Sequence, residues 1–305
     1  MSTPTTPELD FNTPALRRHR KARAFKDKFA KWGIAFGGVS IIGAVLLIFF
    51  YLLYEVAPMF VPADIEQKHQ YTIPGIGESA TLMLAMEEQA EVALRVQENG
   101  SLTFFNVDSG EVLQSHALPI QGNVSAFDIS THASRLMAFG TEQGDALIVK
   151  HNYKVTYPND VRLITPRIGY PYGEEPMSLF EDDRAIKAVT LRDGEEAMVI
   201  TALDFENNLT VKRFSKEEDF MTEEVVLEEE SLNLPLIAGQ INQVEIDQAM
   251  NWMFVLADQR LLHVINLQEE TLQETVTLDE VGTVSSLEML LGENSLLIGN
   301  SDGVV

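Results

Sequence analysis

The chain has 305 residues, a formal net charge of −24 and no cysteine. The lack of cysteine excludes disulfide bonds and thiolate chemistry. Beyond residue 60 the chain carries 14 Lys and Arg against 42 Asp and Glu, so the general surface of this part repels nucleic acid and anionic lipid. About 245 residues suffice for a sizeable hydrophobic core without covalent cross-links.

A dense basic segment near the N-terminus contrasts with this acidity. Residues 17–31 read RRHRKARAFKDKFAK and contain eight of the chain's 22 basic side chains. Such a run is typical of nucleic-acid binding, of a membrane surface or of a partner helix, and the segment after it decides among these. The eight residues are Arg17, Arg18, Arg20, Lys21, Arg23, Lys26, Lys28 and Lys31.

An uncharged apolar segment follows at once. Residues 33–54 read GIAFGGVSIIGAVLLIFFYLLY, and 13 of these 22 are Ile, Leu, Val or Phe. As a helix the segment is about 33 Å long, enough to cross a hydrocarbon core of about 30 Å. We therefore predict a transmembrane helix over residues 32–55. Basic residues beside a first span favour a cytoplasmic location for residues 1–31, which places residues 56–305 on the other side of the membrane.

Two alternatives to an uncleaved anchor are a buried core helix and a cleaved signal peptide. A core helix is rarely apolar on every face over six turns. Val61-Pro62-Ala63 loosely resembles a signal-peptide cleavage site. However, the apolar segment exceeds the usual 7–15 residues of a signal peptide, so the sequence favours the anchor.

The helical spacing of Phe25, Phe29, Trp32 and Phe36 allows one helix to run from the basic segment into the membrane. A bend at Gly33, with the basic part lying along the membrane surface, fits the pattern too.

Small residues line one face of the predicted span. Gly33, Gly37, Ser40 and Ala44 are spaced at i, i+4, i+7 and i+11. Such a stripe allows a second transmembrane helix to approach closely, so we predict a helix-packing face.

The rest of the chain is predicted to be mainly β. Residues 56–79 contain three prolines and two glycines and are interpreted as a linker, so the β domain covers residues 80–305. Short runs with two-residue alternation follow, separated by turn dipeptides. Examples are EVALRV at 91–96, SLTFFNV at 101–107, ALIVKHN at 146–152, WMFVLA at 252–257 and LLHVINL at 261–267.

The strands recur as a unit, which indicates a β-propeller. Five strand–turn–strand units centre on dipeptides such as Asn99-Gly100 and Asp258-Gln259, and the apolar residues after these turns lie 45, 62, 52 and 43 residues apart. A period of 40–50 residues with four strands is typical of propeller blades. FFNVDSGEVLQ at 104–114 aligns with VINLQEETLQ at 264–273, and VSAFDIS, INQVEID and VSSLEML are interpreted as corresponding first strands. A β-sandwich is the alternative.

The last residues, LLIGNSDGVV, read as one strand and a turn that open a further unit. A propeller needs a complete last blade to avoid a bare strand edge. We therefore expect the propeller-like (WD40-like) domain to be incomplete at its C-terminus, and residues 1–305 to be the front part of a longer polypeptide.

No pattern in the sequence predicts an enzyme, a metal site or a cofactor. The six histidines are scattered, and no nucleophile elbow, phosphate loop or dinucleotide fingerprint occurs. The acidic run EEDFMTEEVVLEEE at 217–230 lacks the alternating Asp and central Gly of a calcium loop, and it is interpreted as a solvated segment between blades.

The N-terminal sequence also resembles that of a known family. RRHRKxxAFKDxxA, followed by LIFFYLLYEVxPxF and an acidic propeller-like domain, is similar to the amino-terminal part of long-form PstC-like permeases of bacterial ATP-binding cassette (ABC) phosphate transporters. In that family the first helix is followed by a large periplasmic insertion and then by the helices of the translocation path. The resemblance implies an inner-membrane location and, as partners, a second permease, an ATPase and a periplasmic phosphate-binding protein.

The sequence departs from the family in one respect, since no second apolar run of span length occurs after Tyr54. Residues that conduct phosphate or contact the ATPase therefore cannot be assigned. The expected function is the N-terminal portion of a phosphate-importer permease, with the propeller as a periplasmic interaction domain. The alternative is a stand-alone, membrane-anchored propeller that acts as a scaffold or sensor.

Overall fold

The computed structural model describes residues 14–60, 66–77, 79–131, 133–180, 182, 184–218, 225–290 and 295–304. The chain forms two compact units, Met1–Gln67 and Lys68–Val305. The cleavage-like tripeptide Val61-Pro62-Ala63 lies outside the described residues.

The first unit contains one long helix, α1, from Pro14 to Val56, followed by a short 3-10 turn over Ala57–Phe60. The helix is continuous through Gly33, so the basic and apolar segments belong to one rod rather than to two helices joined by a bend. It is long and apolar enough to cross a membrane, and no residue of its apolar segment is buried within the chain.

The second unit consists of antiparallel sheets whose strands follow one another in chain order. The strands of the first sheet are β1 Thr81–Met86, β2 Val92–Gln97, β3 Ser101–Asn106 and β4 Val112–Ala117. Those of the second are β5 Val124–Ile129, β6 Leu136–Thr141, β7 Asp145–Thr156 and β8 Leu163–Gly169, with the short β9 Met177–Ser178 paired to β7.

Two further four-stranded sheets and one strand pair follow. The third sheet contains β10 Ile186–Asp193, β11 Ala197–Asp204, β12 Leu209–Glu218 and β13 Val225–Ser231. The fourth contains β14 Ile241–Ile246, β15 Trp252–Ala257, β16 Leu261–Asn266 and β17 Thr271–Thr277. The described strands of the fifth are β18 Val284–Met289 and β19 Leu296–Asn300.

Sequential four-stranded antiparallel sheets packed face to face are the blades of a β-propeller. The prediction of a mainly β, propeller-like domain after an N-terminal apolar helix is therefore confirmed. The runs interpreted as strands at 91–96, 101–107, 146–152, 252–257 and 261–267 all overlap strands of the structure.

The predicted repeat is also present. The five turn dipeptides lie at equivalent places, each within the turn that follows the second strand of its sheet. Asn106 and Asn266, aligned in the sequence, have the same role, since each side-chain oxygen accepts hydrogen bonds from the backbone N–H groups two and three residues later.

One repeated feature has no counterpart in the sequence pattern. The first strand of every sheet is shifted in register between its first and third residues, as a β-bulge produces. Bulges bend a strand and increase its twist. The five equivalent shifts therefore give the innermost strands the same curvature.

The hydrophobic core is divided into four layers, one between each pair of neighbouring sheets. Strand β11 shows how this works, because its alternate side chains enter different layers. Met198, Ile200 and Ala202 pack toward the second sheet, whereas Val199 and Leu203 pack toward the fourth. Strands in the middle of the propeller are thus buried on both faces and read as continuous apolar runs.

The free face of the first sheet is covered by the segment before β1. Arg95 on β2 is only 1% exposed and donates to the carbonyl of Pro74 (2.6 Å), the carbonyl of Ser79 (2.9 Å) and the hydroxyl of Thr81 (2.9 Å). The Tyr71 ring packs edge-on against Phe105, with centroids 6.3 Å apart. Arg95 therefore fixes part of the segment interpreted as a linker to the first blade.

The interpretation of residues 217–230 as a segment between blades is wrong. Lys216, Glu217 and Glu218 pair with residues 227, 226 and 225, so the acidic run is the hairpin between β12 and β13 of the third blade. Residues 219–224 lie outside the described residues. Charged residues are tolerated on outer, solvated strands, so this acidic sequence forms strands although its side chains did not indicate them.

The role of Arg95 predicts a local change on substitution. Arg95→Met keeps the apolar stem but removes three charge-assisted hydrogen bonds, each worth roughly 1.5–3 kcal/mol. We expect cleavage by thermolysin between residues 71 and 77 to become at least about tenfold faster, as measured by mass spectrometry of the full chain. Arg260→Met, which removes an exposed ion pair with Asp279 at 3.8 Å, is the control and should leave the rate unchanged. Equal rates in all three proteins would contradict this role of Arg95.

Candidate functional site

The residues singled out by the sequence lie along α1. All eight basic residues occupy its N-terminal half and are exposed, and the uncharged segment follows them on the same helix. At 100° per residue, Gly33, Gly37, Ser40 and Ala44 share one face. A Cβ atom built at Gly33 or Gly37 meets no other atom within 4 Å, so this part of the face is uncovered. The roles in topology and helix packing stay predictions.

In the propeller, side chains that sequence reasoning did not single out join the innermost strands. Asp128 on β5 accepts a hydrogen bond from the backbone N–H of Leu191 on β10 (2.7 Å). The hydroxyl of Thr190 on β10 donates a hydrogen bond to the carbonyl of Val244 on β14 (2.9 Å). The amide of Gln243 on β14 bonds both backbone groups of Leu287 on β18. We call this series of side-chain-to-backbone bonds the inner ladder. It links the second, third, fourth and fifth sheets.

Arg192 on β10 is the centre of the inner ladder. Arg192 is 5% exposed, and its guanidinium donates to the carbonyls of Ser130 (2.7 Å) and Ile246 (2.8 Å). Ser130 follows the first strand of the second blade, and Ile246 ends that of the fourth. The guanidinium also bonds the carboxylate of Glu245 at 3.0 Å. Arg192 therefore ties three blades together.

Burial controls the charge of the carboxylates around Arg192. Desolvation raises the pKa of Glu245 from 4.5 to about 7 and that of Asp128 from 3.8 to about 6, although Arg192 lowers both. The nearby carboxylate of Glu288 raises both further. The cluster thus holds protons at a pH at which exposed carboxylates are ionised.

The first and second blades are joined differently. Among the described residues, no inner-ladder bond links β1 to β5. A cavity of about 540 Å³ lies there instead. Residues 83–86 of β1 line one side, and Ile129, Ala133 and Arg135 of the second blade line the other.

Two aromatic side chains of β7, His151 and Tyr153, also line this cavity. His151 is 8% exposed, and its Nδ1 atom is buried without a hydrogen-bond partner. The Tyr153 hydroxyl is likewise buried without a partner, and the two rings lie 5.6 Å apart. Burial lowers the pKa of His151 to about 4 and raises that of Tyr153 to about 12, so both are neutral near pH 7.

Two arginines of the second blade bridge to the β1–β2 turn beside the cavity. Arg135 stacks over the Tyr153 ring at 5.6 Å and pairs with Glu88 at 3.0 Å. Arg162, in the turn between β7 and β8, donates to Gln89 at 2.9 Å and pairs with Glu91. These contacts hold the two blades together around a cavity with mostly apolar walls and two unpaired neutral groups.

Within the described residues, no three His, Asp or Glu side chains converge as metal ligands would. Sequence reasoning treated the histidines as scattered, and His151 followed by Tyr153 gave no motif. The available signal was weak, since two polar aromatic residues at i and i+2 of an apolar strand share one face of the sheet.

Comparison with known proteins supplies no family. No protein-family model matches the chain, and no curated protein matches it. Many solved structures are similar, among them the crystal structure of the β-propeller domain of Cps50 (Swd1) from Myceliophteria thermophila, with 10% identity and a TM-score of 0.44. The similarity covers 73% of this chain and 63% of that one, so this chain spans less than two thirds of that propeller domain.

The raised pKa values of Glu245 and Asp128 predict how stability depends on pH. Between about pH 4 and pH 7 the folded state holds protons that the unfolded state has released, so the free energy of unfolding falls as pH rises through this range. The lowered pKa of His151 opposes this effect below about pH 6.5, because the unfolded state there holds a proton that the folded state has released. We therefore expect a melting temperature only slightly higher at pH 5 than at pH 8. Glu245→Gln removes one of these ionisations but keeps an oxygen that can accept a hydrogen bond from Arg192. It should lower the free energy of unfolding at pH 5 relative to that at pH 8 by about 1–3 kcal/mol.

Calorimetry of the full chain at the two pH values tests this prediction. Glu98→Gln is the matched control, because Glu98 is an exposed acid and the change alters the net charge equally. The control should show the same difference in stability between the two pH values as the wild type. The prediction is wrong if Glu245→Gln also shows the wild-type difference in stability.

Proposed function

We propose that this chain is the N-terminal part of the permease subunit of an ABC-type phosphate importer in a bacterial inner membrane. Residues 1–31 are cytoplasmic, α1 crosses the membrane, and the propeller is a periplasmic interaction domain. The chain's own role is contact with other proteins rather than catalysis. Its partners are a second permease, an ATPase and a periplasmic phosphate-binding protein.

The observation that carries the proposal is the composition and exposure of α1. A single helix joins eight exposed basic residues to 22 residues without a charge, and the large apolar side chains of the second part are exposed. Phe49 and Leu47, for example, are 57% and 72% exposed. Such a surface is stable in lipid rather than in water, and the basic end favours the cytoplasmic side.

The charge of the propeller supports an interaction role over phosphate binding. Residues 61–305 have a balance of −28, which disfavours an anionic ligand at the general surface. The link to phosphate import itself comes from the resemblance of the N-terminal sequence to that of long-form PstC-like permeases. The uncovered small-residue face of α1 supplies a surface against which permease helices can pack.

Substitutions on this face test the assembly. The double change Gly37→Leu and Ser40→Leu adds bulk where another helix would approach. Apart from its two chain neighbours and the nearby helix backbone, no atom lies within 4 Å of a Cβ at Gly37, so α1 itself tolerates a side chain there. We expect recovery of phosphate-importer subunits with the tagged full chain to fall about fivefold or more in a pull-down from native membranes, as a loss of about 1 kcal/mol implies.

The control for this experiment is the double change Ala35→Leu and Gly38→Leu, which adds the same bulk to the opposite face of α1. A Cβ at Gly38 also meets no atom within 4 Å. Recovery should stay at the wild-type level. Unchanged recovery in both double variants would overturn the packing face, and the absence of transporter subunits from every sample would overturn the importer assignment.

The size of the native protein separates the proposal from a stand-alone anchored propeller. An antibody raised against residues 80–305 should detect, in an immunoblot of native membranes, a band well above the 34.0 kDa of these 305 residues. The extra mass would correspond to the permease helices of the proposed subunit. A band near 34 kDa would favour the free-standing scaffold or sensor instead.

A further inference from the structure

The cavity between the first and second blades has the size and the walls of a small-molecule site. Its volume of about 540 Å³ falls within the range of about 300–1,000 Å³ that is usual for such sites. Met83, Ala85 and Met86 of β1 line one side, and Ile129 and Ala133 of the second blade line the other. Because methionine side chains adapt to irregular shapes, these walls suit the apolar part of a ligand.

Arg135 supplies a charge that a ligand can reach. It is the cationic side chain among the described lining residues, and 31% of the side chain is exposed. One N–H group at Nη2 donates to Glu88 at 3.0 Å. In the described chain the Nε and Nη1 atoms have no hydrogen-bond partner, and neither belongs to the buried polar atoms that lack one. The guanidinium therefore keeps accessible donors although Arg135 is already paired.

The pair with Glu88 leaves Arg135 able to bind a second carboxylate. A guanidinium has five N–H donors in a planar fork, and a carboxylate can accept two of them at once. The Glu88 side chain is 80% exposed, and ion pairs at such exposure are weak. A ligand carboxylate can thus bind the free side of the guanidinium or replace Glu88.

The fourth blade shows what fills this place when the interface is packed. Arg135 (φ 57°) and Met250 (φ 55°) are left-handed residues in the turns between the first and second strands of their blades. Met250 is 8% exposed and lies in the apolar layer against the third blade. Arg135 instead borders a cavity at the interface with the first blade. The second blade therefore has a charged group where the fourth has a side chain that serves packing.

The surrounding charges favour a ligand with a single negative charge. His151 and Tyr153, which also line the cavity, are neutral near pH 7. The excess of acids elsewhere on the propeller opposes anions, but at about 0.15 M ionic strength exposed charges beyond about 8 Å are largely screened. Repulsion from the acidic surface grows with the charge of the ligand, whereas one carboxylate already satisfies the fork of Arg135.

We infer that this cavity is a binding site for a small monocarboxylate with an apolar body. The carboxylate pairs with Arg135, and the apolar body lies between the methionines of β1 and Ile129 and Ala133 of the second blade. The site is independent of the transporter assignment, because it depends on the contact between two blades of the propeller alone.

Ligand-observed fluorine NMR of the full chain in a non-ionic detergent tests the inference. The probe is 4-fluorophenylacetate, and the matched uncharged probe is 4-fluorophenylacetamide, which has nearly the same shape. We expect the carboxylate to bind at least about tenfold more tightly than the amide near pH 7, since hydrogen bonds between two ionised groups are stronger than those to an amide.

Two arginine variants test whether Arg135 is responsible. Arg135→Met removes the guanidinium but keeps an unbranched stem, and Met250 shows that methionine adopts the left-handed conformation in such a turn. The preference for the carboxylate should fall below about twofold. Arg162→Met is the matched control, because it changes the net charge equally and removes the pair with Glu91, while Arg162 lies outside the described lining. This control should keep the wild-type preference.

A third variant tests whether the probe enters the cavity. Ala133→Trp places a large side chain at an exposed lining position and should weaken both probes at least about tenfold. Measuring this variant in the same detergent also corrects for partitioning of the probes into micelles. Circular dichroism checks that all three variants fold.

Four results would overturn the inference. The first two are carboxylate binding no tighter than amide binding, and a preference that Arg135→Met leaves unchanged. The third is an equal loss of preference in Arg162→Met, which would assign the effect to net charge. The fourth is binding to the wild type no tighter than to Ala133→Trp. Since none of these measurements involves other subunits, the inference and the importer assignment can fail separately.

Discussion

The packing of the propeller depends on the need to satisfy one buried cation. The guanidinium of Arg192 lies among apolar layers, where an unpaired charge is very unfavourable. Its partners are the carbonyls of Ser130 and Ile246 and the carboxylate of Glu245, which come from the blades on either side. These bonds form together only when the three first strands lie at the correct height relative to one another. Apolar layers alone permit sliding, whereas Arg192 sets the relative position of three blades.

The same requirement explains why the first blade differs. Its innermost strand reads TLMLAM, and its one polar side chain, that of Thr81, bonds Arg95 instead of extending the inner ladder to β5. Besides the apolar layer between the first and second sheets, Arg135 and Arg162 join the second blade to the β1–β2 turn. Without inner-ladder bonds between β1 and β5, a cavity remains on this side of the interface. The cavity lined by His151 and Tyr153 is therefore a consequence of how this blade is attached.

The sequence predicted the fold to the extent that the fold depends on local signals. Alternation of two residues identified strands, and turn dipeptides after each second strand revealed the repeat, down to the equivalence of Asn106 and Asn266. The inner ladder and the cavity lacked such a signal. Arg192 and Ile246 are 54 residues apart, and Leu191 and Asp128 are 63 apart. Alternation indicates that a side chain is buried, but not which distant strand lies opposite, so these contacts became visible only in three dimensions.

The large apolar side chains of helix α1 and those of the propeller differ in their exposure. In the propeller, large apolar side chains enter the layers between sheets and the excess of carboxylates faces water, which keeps such a domain soluble. In α1 the apolar side chains lie on every face and no part of the described chain covers them. The helix is long and apolar enough to cross a bilayer, which is the surrounding that the proposed function assigns to it. Because the basic run ends at Lys31 and the next charged residue is Glu55, the uncharged segment has sharp limits on the same helix.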